Sequence, residues 1–328
     1  MMSNILVVGL GSMGKRRIRL LKLINHLGVI IGVDKNLERC NFVKSHMGIE
    51  CYKSLEEAEK VVQIDCAFIC TPPLTHADMI YLCLSHGYHV FSEINLVSNK
   101  YDENIGLARE KNKTLFLSST PLYEAEMQYM KQKIASNDDT CVYQYHVGQY
   151  LPDWHPWDDL QNFFVSQKLT NGCRELLAIE LPWIQSVFGK INRVNVIKKK
   201  LTDLNIDFPD TYLIQIEHEK GNIGNLLIDV VSRQAVRNLE IINEKVYIKW
   251  EGTPDSLYQK DILPSGEGEM KLVLTGEYVH EQGYRKFVNE YAYMKEIEDF
   301  FNAIQGKEPL YSFEKDKEVL LLIDKIES

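Results

Sequence analysis

The stretch NILVVGLGSMGKRRIRLLKLI, residues 4–24, decides how the first half of the chain is read. Four consecutive apolar residues, Ile5 to Val8, run into a glycine-rich turn, and the apolar spacing then becomes helical at Ile18, Leu20, Leu21 and Ile24. That change of period predicts a buried strand, a tight turn and a helix. The turn reads Gly9-x-Gly11-x-x-Gly14, with Ser12 and Met13 between the last two glycines. The first glycine permits the bend, the second lets a pyrophosphate approach the backbone, and the third lets the helix pack closely on the strand. The helix N-terminus then faces the phosphates with its free N–H groups.

Working outward, a second apolar run, VIIGV, ends in Asp34, twenty residues after Gly14. A carboxylate there accepts hydrogen bonds from the adenosine ribose hydroxyls and repels a 2'-phosphate, which predicts NAD over NADP. Lys35, next in the chain, offsets part of that repulsion. SLEEAEK (54–60), HADMIYLCLSHG (76–87) and NIGLAREKN (104–112) read as helices, and DCAFICTPP (65–73), YHVFSE (88–93) and TLFLSS (114–119) as strands. Alternation of this kind predicts a doubly wound parallel sheet through about residue 120, with ligands beyond the carboxyl ends of its strands. Thr71, Pro72, His76 and Glu93 fall at such ends and join Gly9, Gly11, Ser12, Met13, Gly14 and Asp34 as cofactor-binding candidates.

The bulk of the chain narrows the function classes. Its 328 residues suggest two domains. With 46 acidic against 37 basic residues and a net charge of -9, it is repelled by phosphate backbones and anionic lipid surfaces, so neither nucleic acid nor membrane is an expected partner. The basic run Lys198 to Lys200 follows an apolar alternation and reads as the solvated end of a strand. Seven cysteines without zinc spacing predict free thiols in a reducing compartment and no metal. The strand begins so close to Met1 that no secretory signal fits before it, and no long apolar run is present, so a cytoplasmic protein is expected.

VVGLGSMG from Val7, CTPPLTH from Cys70 and the strand-then-glutamate VFSE from Val90 resemble, in order and spacing, the nucleotide domain of the glucose–fructose oxidoreductase, inositol dehydrogenase and MocA (Gfo/Idh/MocA) family. The resemblance implies a Rossmann domain at 1–120 and a substrate-binding and oligomerisation α+β domain at 121–328 with an open, mostly antiparallel sheet. It further implies hydride transfer between NAD(P) and a carbon of a sugar, cyclitol or sugar derivative, and a homodimer or higher homo-oligomer. In that family the glutamate is commonly followed by a lysine and a proline, whereas Glu93 is followed by Ile94 and Asn95. Isoleucine neither donates a proton nor stabilises an alkoxide. The family's aspartate and, one helical turn later, histidine would fall on GCRELLAIELPWIQSVFG (172–189), at Glu175 and Ile179; a shift of one residue puts Glu180 in the histidine's place.

Two stretches offer replacements for that proton relay. In YQYHVGQYLPDWHPWDDL (143–160), Trp154 and Trp157 present flat faces for sugar C–H groups, and His155 titrates near neutral pH beside Asp158 and Asp159. The alternative is a loop that packs a domain or dimer edge. On the following helix Arg174 suits a substrate carboxylate or phosphate, and equally a structural ion pair; Glu175, once desolvated, suits a base; Cys173 reads as packing. Catalytic candidates are therefore Glu175, His155 and Glu180, and substrate-binding candidates Trp154, Trp157, Asp158 and Arg174. Beyond Gly189, RVNVIKK, TYLIQIEHE, NIGNLLIDVVS, NLEIIN, KVYIKW and MKLVLTG alternate with period two, predicting a sheet with one face available to a partner. KFVNEYAYMKEIEDFFNAIQG (286–306) and the tail from Glu314 return to helical spacing.

The leading expectation is an NAD-dependent oxidoreductase acting on a sugar-like small molecule. An enzyme using NAD transiently for lysis, epimerisation or glycoside hydrolysis, and a regulatory NAD-binding protein without catalysis, are the alternatives.

Overall fold

Strand β1 (Ile5–Val8) is buried at all four positions, as a strand covered on both faces must be. In the computed structural model, which describes residues 3–24, 28–136, 139–154, 160, 163–274 and 290–328, β1 is the hub of a six-stranded parallel sheet. With β2 (Ile30–Val33), β3 (Cys51–Tyr52), β4 (Cys66–Ile69), β5 (His89–Ser92) and β6 (Leu115–Leu117), the order is β3-β2-β1-β4-β5-β6. The order reverses between β1 and β4, which opens a crevice at the carboxyl ends of those two strands. Helices α1 (Ser12–Leu21), α2 (Leu37–Met47), α3 (Leu55–Glu59), α4 (His76–Ser85) and α5 (Tyr101–Glu110) connect the strands. Asn36 starts α2 by accepting from the N–H groups of Glu38 and Arg39, and Gly48 ends it in the left-handed region.

The chain divides into two units, Met1–Ser119 with Tyr293–Leu320, and Thr120–Ala292 with Leu321–Ser328. The return of 293–320 to the first unit differs from the simple division at 120/121, and its cause is packing over long sequence distance. Phe68, Phe91 and Phe116 stack across β4, β5 and β6 at centroid distances of 4.7 and 5.1 Å, and Phe300 of α8 (Glu290–Ile304) sets its edge on all three.

In the second unit an eight-stranded sheet has the order β14-β13-β12-β11-β7-β10-β9-β8. Its members are β7 (Val142–Gly148), β8 (Ile191–Lys199), β9 (Thr211–His218), β10 (Ile223–Asp229), β11 (Val236–Ile242), β12 (Val246–Trp250), β13 (Tyr258–Asp261) and β14 (Met270–Leu272). All neighbours pair antiparallel except β7 and β10. The period-two pattern is realised in β9, where Tyr212, Ile214 and Ile216 are buried and Leu213, Gln215 and Glu217 are exposed. On the buried face α7 (Gly172–Phe188) lays Phe188 on Tyr143 at 4.1 Å and Trp183 edge-on to Tyr145 at 5.3 Å. α6 (Ala125–Ala135) packs beside α7, and α9 (Phe313–Glu327) ends the chain.

The expectation of seven free thiols is corrected. Cys40 on α2 and Cys51 on β3 form a disulfide with Cα atoms 5.4 Å apart, while Cys66, Cys70, Cys83, Cys141 and Cys173 are free. The pairing escaped a reading by spacing because β3, only two residues long, carries no strand signature, yet its return beside α2 brings the sulfurs together. Among the described residues no helix is long and apolar enough to cross a membrane.

Candidate active site

The glycine loop is shaped by contacts that leave no room for side chains. Gly9 has φ +88°, and a Cβ there would lie 2.7 Å from the Cys70 carbonyl oxygen and 2.8 Å from the Thr71 nitrogen. A Cβ at Gly14 would lie 1.9 Å from the Gly9 carbonyl oxygen, so the third glycine permits the contact of α1 with the loop. Gly11 faces open space and caps α1 without a side-chain hydrogen bond, so the first N–H groups of the helix keep their capacity for an anion. These features fit the pyrophosphate of a dinucleotide. Ser12 is exposed, and half-buried Met13 accepts a weak hydrogen bond from Arg16 at 3.3 Å.

Asp34 ends β2 with its carboxylate braced from the protein side. Oδ2 accepts from the Leu10 N–H at 2.7 Å and Oδ1 from the Asn36 N–H at 2.8 Å, with Arg39 3.6 Å from Oδ2. A carboxylate has about four lone-pair sites, so capacity remains for two ribose hydroxyls.

Thr71 and Pro72 lie at the end of β4, against the glycine loop. Two other strand-end candidates, Glu93 and His76, already have partners within the protein. Glu93 is buried, its carboxylate gripped by Arg17 at 2.6 and 3.2 Å, and Arg17 also donates to Glu296 of α8 at 2.6 Å. Burial alone would disfavour the Arg17 charge, but the two carboxylates more than offset it and hold the guanidinium ionised. His76, 2% exposed, lies 2.6 Å from the Thr71 carbonyl oxygen and 2.7 Å from the Asn95 amide, and burial holds its imidazole below the ordinary range. It supports the loop from behind. Ile94, next to Glu93, is half-buried.

In the second unit Asn171 starts α7 by accepting from the Arg174 N–H at 2.8 Å. Gly172 is needed beside it, because a Cβ there would meet Leu151 at 2.8 Å and the Trp154 ring at 3.5 Å. Trp154 thus lies against the start of α7, its indole N–H donating to the Gln149 carbonyl at 3.1 Å. Three residues on, Glu175 reaches the surface with part of its side chain, but its Oε2 is enclosed and has no hydrogen-bond partner among the described residues. Burial pushes its carboxyl up to about 7. Half-buried Ile179, one turn later, shares its helix face.

Two other candidates on α7 have partners within the protein. Arg174 forms ion pairs with Asp324, at 2.6 Å, and Glu327, both on α9, so its guanidinium ties α7 to α9. Glu180, 1% exposed, pairs with Arg237 at 2.5 Å and accepts from the Tyr145 hydroxyl at 2.8 Å and the Trp183 indole at 2.5 Å. A carboxylate so fully bonded pins α7 to the sheet. His155, Trp157 and Asp158, with Asp159, lie outside the described residues.

Glu124 was missed. It directly precedes α6, is buried, and is pushed up to about 8, chiefly by burial, with the Glu126 and Glu180 carboxylates adding to the rise against Arg237. Its signal in sequence was its place just beyond the last strand of the parallel sheet, where strand-end logic already applied.

A six-stranded parallel sheet in this order, an open glycine loop and a braced acid at the end of β2 define a Rossmann dinucleotide-binding protein with an appended α+β unit. Through residues 3–119 the chain matches the Gfo/Idh/MocA family, described as oxidoreductases with an NAD-binding Rossmann fold. It is 24% identical over 330 residues to myo-inositol 2-dehydrogenase of Thermotoga maritima, spanning 96% of this chain and 92% of that protein. It is also 24% identical over 151 residues to 4-carboxy-2-hydroxymuconate-6-semialdehyde dehydrogenase of Sphingobium sp., a match spanning 45% of this chain and only 48% of that relative. In fold it resembles the WlbA dehydrogenase from Bordetella pertussis, solved with NADH and UDP-GlcNAcA, with a TM-score of 0.78 at 15% identity, covering 99% of this chain and 95% of that one.

Proposed function

We propose that the protein is an NAD-dependent dehydrogenase of a sugar or sugar derivative in which Glu175, rather than a lysine, manages the proton. NAD, when bound, supplies the hydride acceptor; what remains for the protein is to bind, orient and move one proton. Oxidation of a carbinol takes a hydride from carbon and a proton from oxygen. Ile94 has no proton to exchange, and among the lysine's replacements Glu175 has the chemistry for the second half. The observation that carries this reading is its enclosed Oε2, unpartnered among the described residues, on a carboxyl that burial moves to about 7. A group with a pKa near the working pH exists in both protonation states and serves as a base in one direction and an acid in the other. The sugar-acting dehydrogenases among its relatives support the substrate class.

The test is a panel of sugars, cyclitols and nucleotide sugars incubated with NAD+, following NADH absorbance. With the responding substrate, Glu175→Gln should lower turnover by about a hundredfold to ten-thousandfold while NAD affinity stays unchanged. Oxidation by the parent should rise as pH passes through about 7, where Glu175 becomes able to accept a proton. Full activity in the Gln variant removes Glu175 from the chemistry. NAD binding with no hydride transfer to any member of the panel favours the regulatory alternative.

A further inference from the structure

The ring of His76 poses a question of hydrogen placement. The Thr71 carbonyl oxygen, 2.6 Å from Nε2, can only accept, so Nε2 carries a hydrogen. Burial keeps the imidazole neutral, so Nδ1 carries none and requires a donor. The group at 2.7 Å from Nδ1 is the Asn95 amide. With its Oδ1 toward the ring, two acceptors would face each other, and the Asn95 Nδ2 would be buried without a partner. A half-turn of the amide, which interchanges two atoms nearly indistinguishable in shape, removes both faults. Nδ2–H then donates to Nδ1.

The consequence reaches the glycine loop. The Cys70–Thr71 peptide lies on Gly9, where a Cβ would come within 2.8 Å of it. It is anchored on one side by the Cys70 N–H, which donates to the Val8 carbonyl at 2.8 Å, and on the other by the Thr71 carbonyl, which accepts from His76. We propose that Asn95 is a positioning residue for the dinucleotide: its amide fixes His76 as the Nε2–H imidazole, and His76 thereby seats the Cys70–Thr71 peptide against Gly9. Asn95, which stands where the family commonly has proline, thus acquires a task of its own. The proposal rests on the NAD-binding assignment of the first unit.

The titratable group acting on His76 is Glu93, held by Arg17 and contacted by the Cys70 thiol, and beyond Asn95 lies Tyr101. The Tyr101 hydroxyl lies 2.5 Å from Asp316, which burial pushes up to about 7. On the helix of His76 the nearest charge is Asp78, exposed and paired with Lys100.

The experiment combines nitrogen NMR of the His76 ring with NADH fluorescence titrations between pH 6 and 8. It compares the full-length parent with Asn95→Asp and Asn95→Leu, each checked for an unchanged far-ultraviolet CD spectrum. In the parent, Nδ1 should show the signature of an unprotonated nitrogen and Nε2 that of a protonated one. The aspartate of Asn95→Asp can only accept, so His76 should become doubly protonated and keep its charge to higher pH, and NADH affinity should acquire a pH dependence that follows it. Asn95→Leu leaves Nδ1 without a donor and should weaken NADH by about tenfold. A protonated Nδ1 in the neutral parent ring overturns the proposal, as does NADH affinity unaltered in Asn95→Asp across the pH range. Should Asn95→Leu fail the CD check, Asn95→Asp and the parent spectrum still decide. Failure of the parent to bind NADH would overturn the NAD assignment instead, with the ring spectrum still reporting on the Asn95–His76 link.

Discussion

Replacing Glu175 with glutamine isolates the energetic consequence of its enclosure. An ordinary glutamate in the unfolded chain ionises near 4.5, whereas in the fold Glu175 stays protonated up to about 7. Between those values the folded state binds more protons than the unfolded state, so stability falls as pH rises and the whole penalty is present above about 7. At about 1.4 kcal/mol per pH unit, the rise from 4.5 to about 7 bounds that penalty at about 3 kcal/mol. Glutamine has nearly the same shape and no charge to desolvate. Glu175→Gln should therefore match the parent at pH 4.5 and exceed it by about 2–3 kcal/mol at pH 8. Asp316 and Glu124, also raised by burial, contribute a similar trend to both proteins and cancel in the difference. Urea titrations at the two pH values, read by tryptophan fluorescence, give the comparison. Parallel pH dependence in parent and variant would refute the reasoning, because Glu175 would then ionise as freely as in the unfolded chain.

Other expectations are checked as directly. Asp34→Ala should weaken NAD and narrow or reverse its advantage over NADP, measured by calorimetry with both cofactors; an unaltered ratio would put the discriminating charge elsewhere. Arg237→Met leaves Glu180 buried without its ion-pair partner and should cost about 3–5 kcal/mol in a urea melt, whereas Arg237→Met with Glu180→Leu should recover most of it. Reducing the Cys40–Cys51 disulfide, whose partners are 11 residues apart, should cost about 3 kcal/mol of chain-entropy stabilisation, seen as a lower Tm that Cys51→Ser reproduces without reductant. Exposed Ile197 and Leu213, in a row with half-buried Leu227, and the neighbouring Ile223 and Ile242 leave apolar surface on the open face of the sheet. We expect this face to join two copies, and a clean monomer in light scattering at micromolar concentration would remove the idea.

What could be read from sequence was local. Gly9, Gly11 and Gly14 shape a turn through backbone geometry and Asp34 ends the next strand, all within one βαβ unit, and α7 was legible from Gly172 to Phe188 because its apolar residues, its Asn171 cap and Gly189 lie in one continuous stretch. What could not be read depended on partners far along the chain. Nothing near Arg174 announces Asp324 and Glu327, and nothing near Glu93 announces Arg17 or Glu296. A charged residue looks alike in sequence whether it awaits a substrate or already holds a carboxylate. Asn95 was hidden differently: it was noticed only as the absence of a proline, because a side-chain amide shows its purpose only when the group it orients is in view.

The edge of Phe300 against Phe68, Phe91 and Phe116, with Glu296 on Arg17, also constrains how the protein is made. Residues 1–119 leave the ribosome before residues 120–292, but the side chains that close their core are encoded after residue 292. At about 5–20 residues per second, the intervening segment takes roughly 10–35 s to synthesise. Throughout that interval the aromatic face of the sheet lacks its cover and Arg17 lacks one of its two carboxylates. The nucleotide-binding unit is thus completed only after residues 120–292 have been synthesised, and a nascent chain stopped before Tyr293 should hold it in an open, chaperone-accessible form.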